Sequence, residues 1–351
     1  KLIINVGGLI MDKIRIGVIC PSEIAFRRFM PALFHLSDKF VFSGIAVANK
    51  QEWSGDVKEE IIKQEISKAE RFTNQYGGII YHSYYDLITS PDIDAIYLPL
   101  PPALHYKWAK LALENKKHVF LEKPSTTCVE HTKELCSLAK QNNLAIHENY
   151  MFIYHNQIDE IKKMIDEGIV GDIRLIRGNF GFPKRPANDF RYNKALGGGA
   201  LLDCGGYPIR LMQLMIGNDI HVDAAKLIFN EQDIDLYGSV QLSNESSIAQ
   251  ISFGMDNGYK CDLEIWGSIG TIYTGRIFSA PDSLSCEIQI NINNEITTKI
   301  LEPDDTFRKS LVQFYQCVEE QAIRNEEYGD ILRQIALVED VILKNQVKRQ
   351  L

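Results

Sequence analysis

Between Lys13 and His147, short apolar runs alternate with stretches whose apolar residues recur at helical spacing. Lys13–Cys20 (KIRIGVIC) predicts a strand, broken by Pro21-Ser22-Glu23; Ile24–Leu36 then predicts a helix through Phe26, Met30, Leu33 and Phe34. Phe40–Ala48 reads as a second strand, Gln64–Tyr76 as an amphipathic helix, Ile79–Tyr81 as a short strand and Tyr84–Thr89 as a helical turn. Strand Ala95–Leu98, helix His105–Glu114, strand 117–121, helix Glu130–Gln141 and strand Leu144–His147 follow. Strand and helix alternating with short connections imply a parallel sheet covered by helices on both faces.

After His147 the pattern changes. Asp159–Glu167 predicts a helix, Ile173–Phe180 a strand and 182–193 a loop. The run LGGGALLDCGGYPIR, Leu196–Arg210, opens a helix reaching about Met215, and its three glycines permit close backbone approach. Strand-like runs then recur: Ala225–Asn230, Asp235–Leu242, Ser247–Met255, Tyr259–Trp266, Gly270–Tyr273, Glu287–Ile292 and Thr297–Leu301. Turns at Asn244 and Asn293-Asn294 separate some of them, and helices Phe307–Ile323 and Gly329–Leu343 close the chain. Two domains are expected, an α/β domain over 11–147 and an α+β domain with a large, mostly antiparallel sheet over 148–351.

Composition narrows the partners. A chain of 351 residues is too long for one ordinary domain, and 45% hydrophobic content supplies sizeable cores. The net charge of -8 argues against a general nucleic-acid or anionic-membrane partner, though a local basic pocket stays open. Seven scattered cysteines, odd in number and without a CxxC pair, fit free thiols in a reducing cytoplasm better than disulfides or a metal site. Residues 1–10 are apolar but too short to span a bilayer, and no A-x-A-like site follows, so a signal peptide is not expected; Met11 reads as a natural start.

The chemistry centres on Lys117–Pro124 (KHVFLEKP). Val119-Phe120-Leu121 reads as a buried strand, which Pro124 ends while biasing Lys123 to extended backbone. A lysine at the carboxyl end of such a strand points into the crevice where open α/β sheets bind ligands. The plainer alternative is a surface lysine paired with Glu122. The first strand–helix turn keeps Gly17 of a dinucleotide fingerprint, places Cys20 and Ser22 where glycines are usual, and has Ala25 as the small packing residue. The helix start at Glu23-Ile24 can bind phosphate through free N–H groups, with Arg27 or Arg28 assisting; a solvated helix face accounts for the arginines equally well. Asn49 and Lys50 stand where an NAD site carries a carboxylate, and Lys50 would attract a 2′-phosphate, which favours NADP(H) over NAD(H). The proline-stiffened loop Leu98–His105, with Leu100, Pro101 and His105, can lie along the cofactor. Lys184, Arg185 and Arg191 form a basic loop, and Asp203 and Tyr207, four apart, share one helix face.

Glu122-Lys123-Pro124, the LPLPPALH loop and GGGALLDCGGYPIR together resemble the Gfo/Idh/MocA oxidoreductases along nearly all of residues 13–345. Ile24–Arg28, Glu148–Phe152 with His155-Asn156-Gln157, Tyr207-Pro208 and Glu264–Gly270 resemble the sugar-nucleotide 3-ketoreductase branch. The resemblance implies a Rossmann domain, a second domain with an open-faced sheet, and nicotinamide hydride chemistry on a sugar or sugar-nucleotide keto group. Under it, Lys123, Tyr207 and Asp203 are the expected catalytic residues. Lys123 polarises the carbonyl, with desolvation lowering its pKa toward proton donation. Tyr207 donates or relays the proton, with Lys123 favouring its phenolate; Asp203 holds a sugar hydroxyl or orients Lys123. Glu122 joins the cofactor residues, while Asn149, Lys184, Arg185 and Arg191 are expected on the substrate. Two other readings stay open: NAD(P)-dependent dehydrogenation of a free sugar, inositol or dihydrodiol, and a dinucleotide-sensing regulator without catalysis. An open sheet face implies a homodimer or homotetramer.

Overall fold

The computed structural model describes residues 13–53 and 57–347; Met11 and the apolar stretch before it lie outside them. Strands β1 (Ile14–Ile19), β2 (Phe40–Ala46), β3 (Ile79–Tyr81), β4 (Ala95–Leu98), β5 (His118–Leu121) and β6 (Ile146–Glu148) form one sheet. All its pairings are parallel, in the order β3-β2-β1-β4-β5-β6. Helices cover both faces, so β4 is buried at every position, which explains its continuous apolar run. The strand order reverses between β1 and β4, and at such a switch the carboxyl ends of the strands border a crevice. β6 begins two residues later than its apolar run predicts. Asn143 takes a left-handed conformation (φ 56°) that ends the preceding helix, and Leu144 N–H is spent on Ala139 O at 2.9 Å.

The second sheet contains β7 (Ile173–Gly181), β8 (His221–Phe229), β9 (Asp235–Ser243), β10 (Ile248–Gly254), β11 (Lys260–Gly267), β12 (Gly270–Thr274), β13 (Glu287–Ile292) and β14 (Glu295–Ile300). Its order is β14-β13-β12-β11-β7-β10-β9-β8, antiparallel except between β7 and β10. Here burial alternates along the strands, as in β10. The inner face packs on helices Gly206–Ile216 and Gln321–Val347, while Tyr237, Trp266 and Tyr273 stand exposed on the outer face.

The closing helices are Thr306–Glu319, which ends four residues before its predicted end, and Gln321–Val347, which is longer than predicted and has Gly329 inside it rather than at its start. The break falls at Glu320, whose backbone is extended. Asp305 caps the first by accepting from Arg308 N at 3.0 Å. That helix returns to the parallel sheet, where Phe314 stacks against Phe40 and meets Phe120 edge-on at 5.4 Å. The second spans both cores: Tyr328 and Ile331 belong to that of the parallel sheet, Ile335 and Val338 to that of the antiparallel one. Among the described residues, no helix is long and apolar enough to cross a membrane.

Candidate active site

Lys123 leaves the carboxyl end of β5 through a cis Lys123–Pro124 peptide. Its Nζ donates to the Asp203 backbone carbonyl at 2.5 Å and to Asp203 Oδ1 at 3.2 Å. The same ammonium lies 4.9 Å from the Tyr207 ring centroid, within cation–π reach. Asp203 Oδ2 accepts from Arg191 Nε at 2.6 Å, and Arg191 Nη1 reaches Asp189 Oδ1 at 3.2 Å. A single carboxylate thus bridges two cations. Asp203 sits in the wide turn Leu201–Gly205 that leads into the Tyr207 helix. The glycines before it let the Arg191 loop close down. Gly199 N–H donates to Arg191 O at 3.0 Å, and a side chain at Gly198 would collide with that same carbonyl, 2.4 Å from its Cβ.

Charge states follow from these contacts. Burial pulls the Lys123 pKa down, but Asp203, by charge and hydrogen bond, and Tyr207 together outweigh it and the net shift is upward. Burial alone would raise Asp203; Lys123 and Arg191 hold it below the usual carboxylate range. Burial pushes the Tyr207 phenol up to about 12, exceeding the opposite pull of Lys123. Two expectations are therefore corrected: Lys123 is not tuned toward proton donation, and Tyr207 is not tuned toward phenolate. At neutral pH the site holds a fixed ammonium beside a protonated phenol. That pair can polarise a carbonyl and then supply a proton.

The turn after β1 meets the needs of a dinucleotide without glycines. Cys20 itself takes the left-handed backbone (φ 76°) that glycine would supply. Ser22 Oγ accepts from Ala25 N at 3.2 Å and caps the helix start, with Ile24 exposed and Ala25 buried beneath. Gly17 serves packing, since an added Cβ would lie 2.7 Å from the Leu87 side chain. Arg27 is exposed. Lys50 is exposed and pairs with Glu59 at 3.0 Å, while Asn49 Oδ1 is spent on the backbone of Gln51 and Glu52. These features sit at the switch between β1 and β4, so the residues present fit a dinucleotide there.

Other site residues fall elsewhere than expected. His105 is fully buried, its Nδ1 2.8 Å from Pro124 O and its Nε2 2.7 Å from Leu100 O, so it clamps the proline loop to the Lys123 segment instead of meeting a cofactor. Pro101 opens helix Pro102–Glu114 beside it. Glu122 Oε1 accepts from Tyr97 OH at 2.7 Å and Asn149 Nδ2 at 2.8 Å. Asn149 has no exposed surface and both ends of its amide are engaged, which removes it as a direct substrate contact. Arg191 is held by two carboxylates rather than free for a diphosphate, whereas Lys184 and Arg185 are exposed.

The sequence reading missed Tyr97, Ser310 and Glu52. Glu52 staples the β2 loop to the next helix through the N–H groups of Asn49, Tyr84 and Tyr85. Only Tyr97 carried a local signal: a tyrosine inside a buried strand needs a partner for its hydroxyl.

Residues 15–150 match a family described as "Oxidoreductase family, NAD-binding Rossmann fold", and residues 158–273 match the GFO/IDH/MocA C-terminal domain. The chain is 34% identical over 332 residues to a dTDP-3,4-didehydro-2,6-dideoxy-alpha-D-glucose 3-reductase of Actinomadura kijaniata, covering 94% of this chain and 95% of that one. The enzyme of the same name from Saccharopolyspora spinosa is 34% identical, covering 93% of this chain and 96% of that one. In structure, the chain resembles a 3-ketoreductase from A. kijaniata solved in complex with NADP and TDP-benzene. The TM-score is 0.87 at 34% identity, covering 95% of this chain and 98% of that one.

Proposed function

The chain belongs to the Gfo/Idh/MocA oxidoreductase family, and from that premise we propose that it reduces the keto group of a dTDP-linked 3-ketosugar with NADPH. The observation that carries this reading is the Lys123–Asp203–Tyr207 cluster at the end of β5, in a chain 34% identical to two 3-reductases. When bound, the nicotinamide would supply the hydride for the carbonyl carbon. Lys123, kept charged by Asp203, stabilises the negative charge that grows on the carbonyl oxygen. Tyr207 gives that oxygen its proton; even pushed up to about 12, a phenol is a stronger acid than the alcohol it forms. Arg191 holds the far oxygen of Asp203, so that the carboxylate serves Lys123 and not the sugar. In this reading Lys50 meets the 2′-phosphate of NADPH and Lys184 and Arg185 meet the substrate diphosphate, a role their exposure supports.

The test is single-turnover and steady-state oxidation of NADPH with a dTDP-linked 3-ketosugar, followed by identification of the product. Turnover with reduction of the ketone to a single alcohol epimer, axial or equatorial, is expected. Inertness toward nucleotide-linked ketosugars together with oxidation of free aldoses by NADP+ would replace this reading with a sugar dehydrogenase. We also place the outer face of the antiparallel sheet, with Trp266 and Tyr273, in a homodimer or homotetramer contact, and the unpaired thiols fit a cytoplasmic setting.

A further inference from the structure

Beneath the crevice a line of hydrogen bonds runs from Glu122 through the closing helix Thr306–Glu319 to His147. Glu122 Oε1 accepts from Asn149 Nδ2 at 2.8 Å; Asn149 Oδ1 accepts from Ser310 Oγ at 2.8 Å; Ser310 Oγ lies 2.9 Å from His147 Nε2. Asn149, Ser310 and His147 have no exposed surface. A hydroxyl carries one proton. Ser310 gives its proton to the amide oxygen, so its own oxygen must take the proton of His147 Nε2. Reversing the amide would set its oxygen against the Glu122 carboxylate. Each link therefore has one direction: Nε2–H to Ser310, Ser310 to Asn149, Asn149 to Glu122.

The far end of the line is a buried contact between His147 and Glu327. His147 Nδ1 lies 2.9 Å from Glu327 Oε1, though without an aligned hydrogen bond, and Cys317 Sγ is nearby. Metal–ligand distances of 2.0–2.2 Å would hold tetrahedral neighbours about 3.4 Å apart. The 2.9 Å spacing is closer than two ligands of one ion would sit.

We propose that Ser310, oriented by His147, is a positioning residue for the reduction: it turns the Asn149 amide so that its Nδ2 donates to Glu122 beside Lys123 and Tyr207. This inference rests on the ketoreductase reading above. Glu122 is faced by Lys123 on its own strand end, Tyr97 from β4 and Tyr207 from the 206–216 helix. His147 is faced by Glu327, Cys317 and Tyr154. Burial drives the Glu122 carboxyl above its ordinary range, and the hydrogen bonds from Asn149 and Tyr97, with the Lys123 charge, oppose that drive without cancelling it. The Glu122 charge in turn raises Tyr207, helping it hold the proton it must deliver. Without Ser310 the amide is free to turn, Glu122 loses a donor and takes up a proton at higher pH.

The experiment compares Ser310→Ala and Ser310→Thr by the pH profile of kcat/KM for NADPH-dependent reduction, alongside NADPH affinity and melting temperature. Ser310→Ala is expected to move the acid limb upward by about one pH unit with NADPH affinity unchanged, the shift a lost hydrogen bond to a carboxylate produces. Ser310→Thr, which keeps the hydroxyl, restores the limb. A lower melting temperature with an unmoved profile would overturn the proposal. A substrate-free measurement separates this inference from the function it rests on. 15N NMR of the histidine rings should show His147 protonated at Nε2. A bare Nε2 would overturn the proposal even in an enzyme that turns over; a wild-type chain inert to ketosugars would overturn the functional reading instead.

Discussion

The two sheets meet water differently, and the candidate chemistry follows the difference. In the parallel sheet, β4 and β5 are buried on both faces, so the strand ends are where polar side chains emerge, and Lys123 emerges at one of them. In the antiparallel sheet, every second residue of β10 faces outward, giving a broad surface that includes Trp266 at 51% exposed and Tyr273 at 40% exposed. The first design concentrates charge where desolvation strengthens it; the second provides area for contact. Lys123 and Tyr207 link the two, because β5 supplies one and the helix under the antiparallel sheet supplies the other.

The sharpest way to break that contrast is Lys123→Ala. Removing one preorganised charge from a reacting oxygen lowers turnover by roughly 10²–10³-fold. NADPH binding, followed by nicotinamide fluorescence, should survive, because the turn after β1 is untouched. Near-normal turnover would move the chemistry away from the strand end. A second pair of substitutions compares the sheets themselves. Phe120 has no exposed surface and packs against Phe29, Tyr97, His147 and Phe314, so Phe120→Ala should cost about 3–5 kcal/mol in urea unfolding. Trp266→Ala, compared with the parent at the same low protein concentration, should cost less than about 1 kcal/mol. Equal losses would mean that the outer face is as much a core as the inner sheet.

The same contrast explains what could be read from the chain. The apolar runs of β4 and β5, and the proline that ends the Lys123 strand, are local features, and they located both the sheet and the crevice. Asp203 and Tyr207 were legible as a pair four apart, but Asp203 lies in the wide turn Leu201–Gly205 that precedes the Tyr207 helix rather than on that helix's face. The charge states were not legible. They depend on Asp203 reaching Lys123 across 80 positions, and nothing local distinguishes a desolvated lysine from a paired one. Arg191 resembled a free loop cation for the same reason: its carboxylate partner Asp203 enters through a turn that only folding sets. Asn149 resembled a substrate ligand until the closing helix brought Ser310 onto it, from 161 positions away.

The smallest expected effect concerns Lys50, and it tests whether a strand end in the parallel sheet can recognise charge without burial. Lys50 and Glu59 are both exposed, at 61% and 71% of their side chains, so their 3.0 Å pair contributes little to stability. An incoming 2′-phosphate carries more charge than one carboxylate and competes for the same ammonium. Lys50→Ala should therefore leave the melting temperature unchanged while weakening NADPH several-fold and NADH hardly at all, with the difference shrinking as salt is added. Glu59→Gln separates the partners: freeing Lys50 should tighten NADPH alone. If both variants bind the two cofactors as the parent does, the discrimination lies elsewhere in the turn, and the left-handed Cys20 and capped Ser22 become its source rather than the lysine at the end of β2.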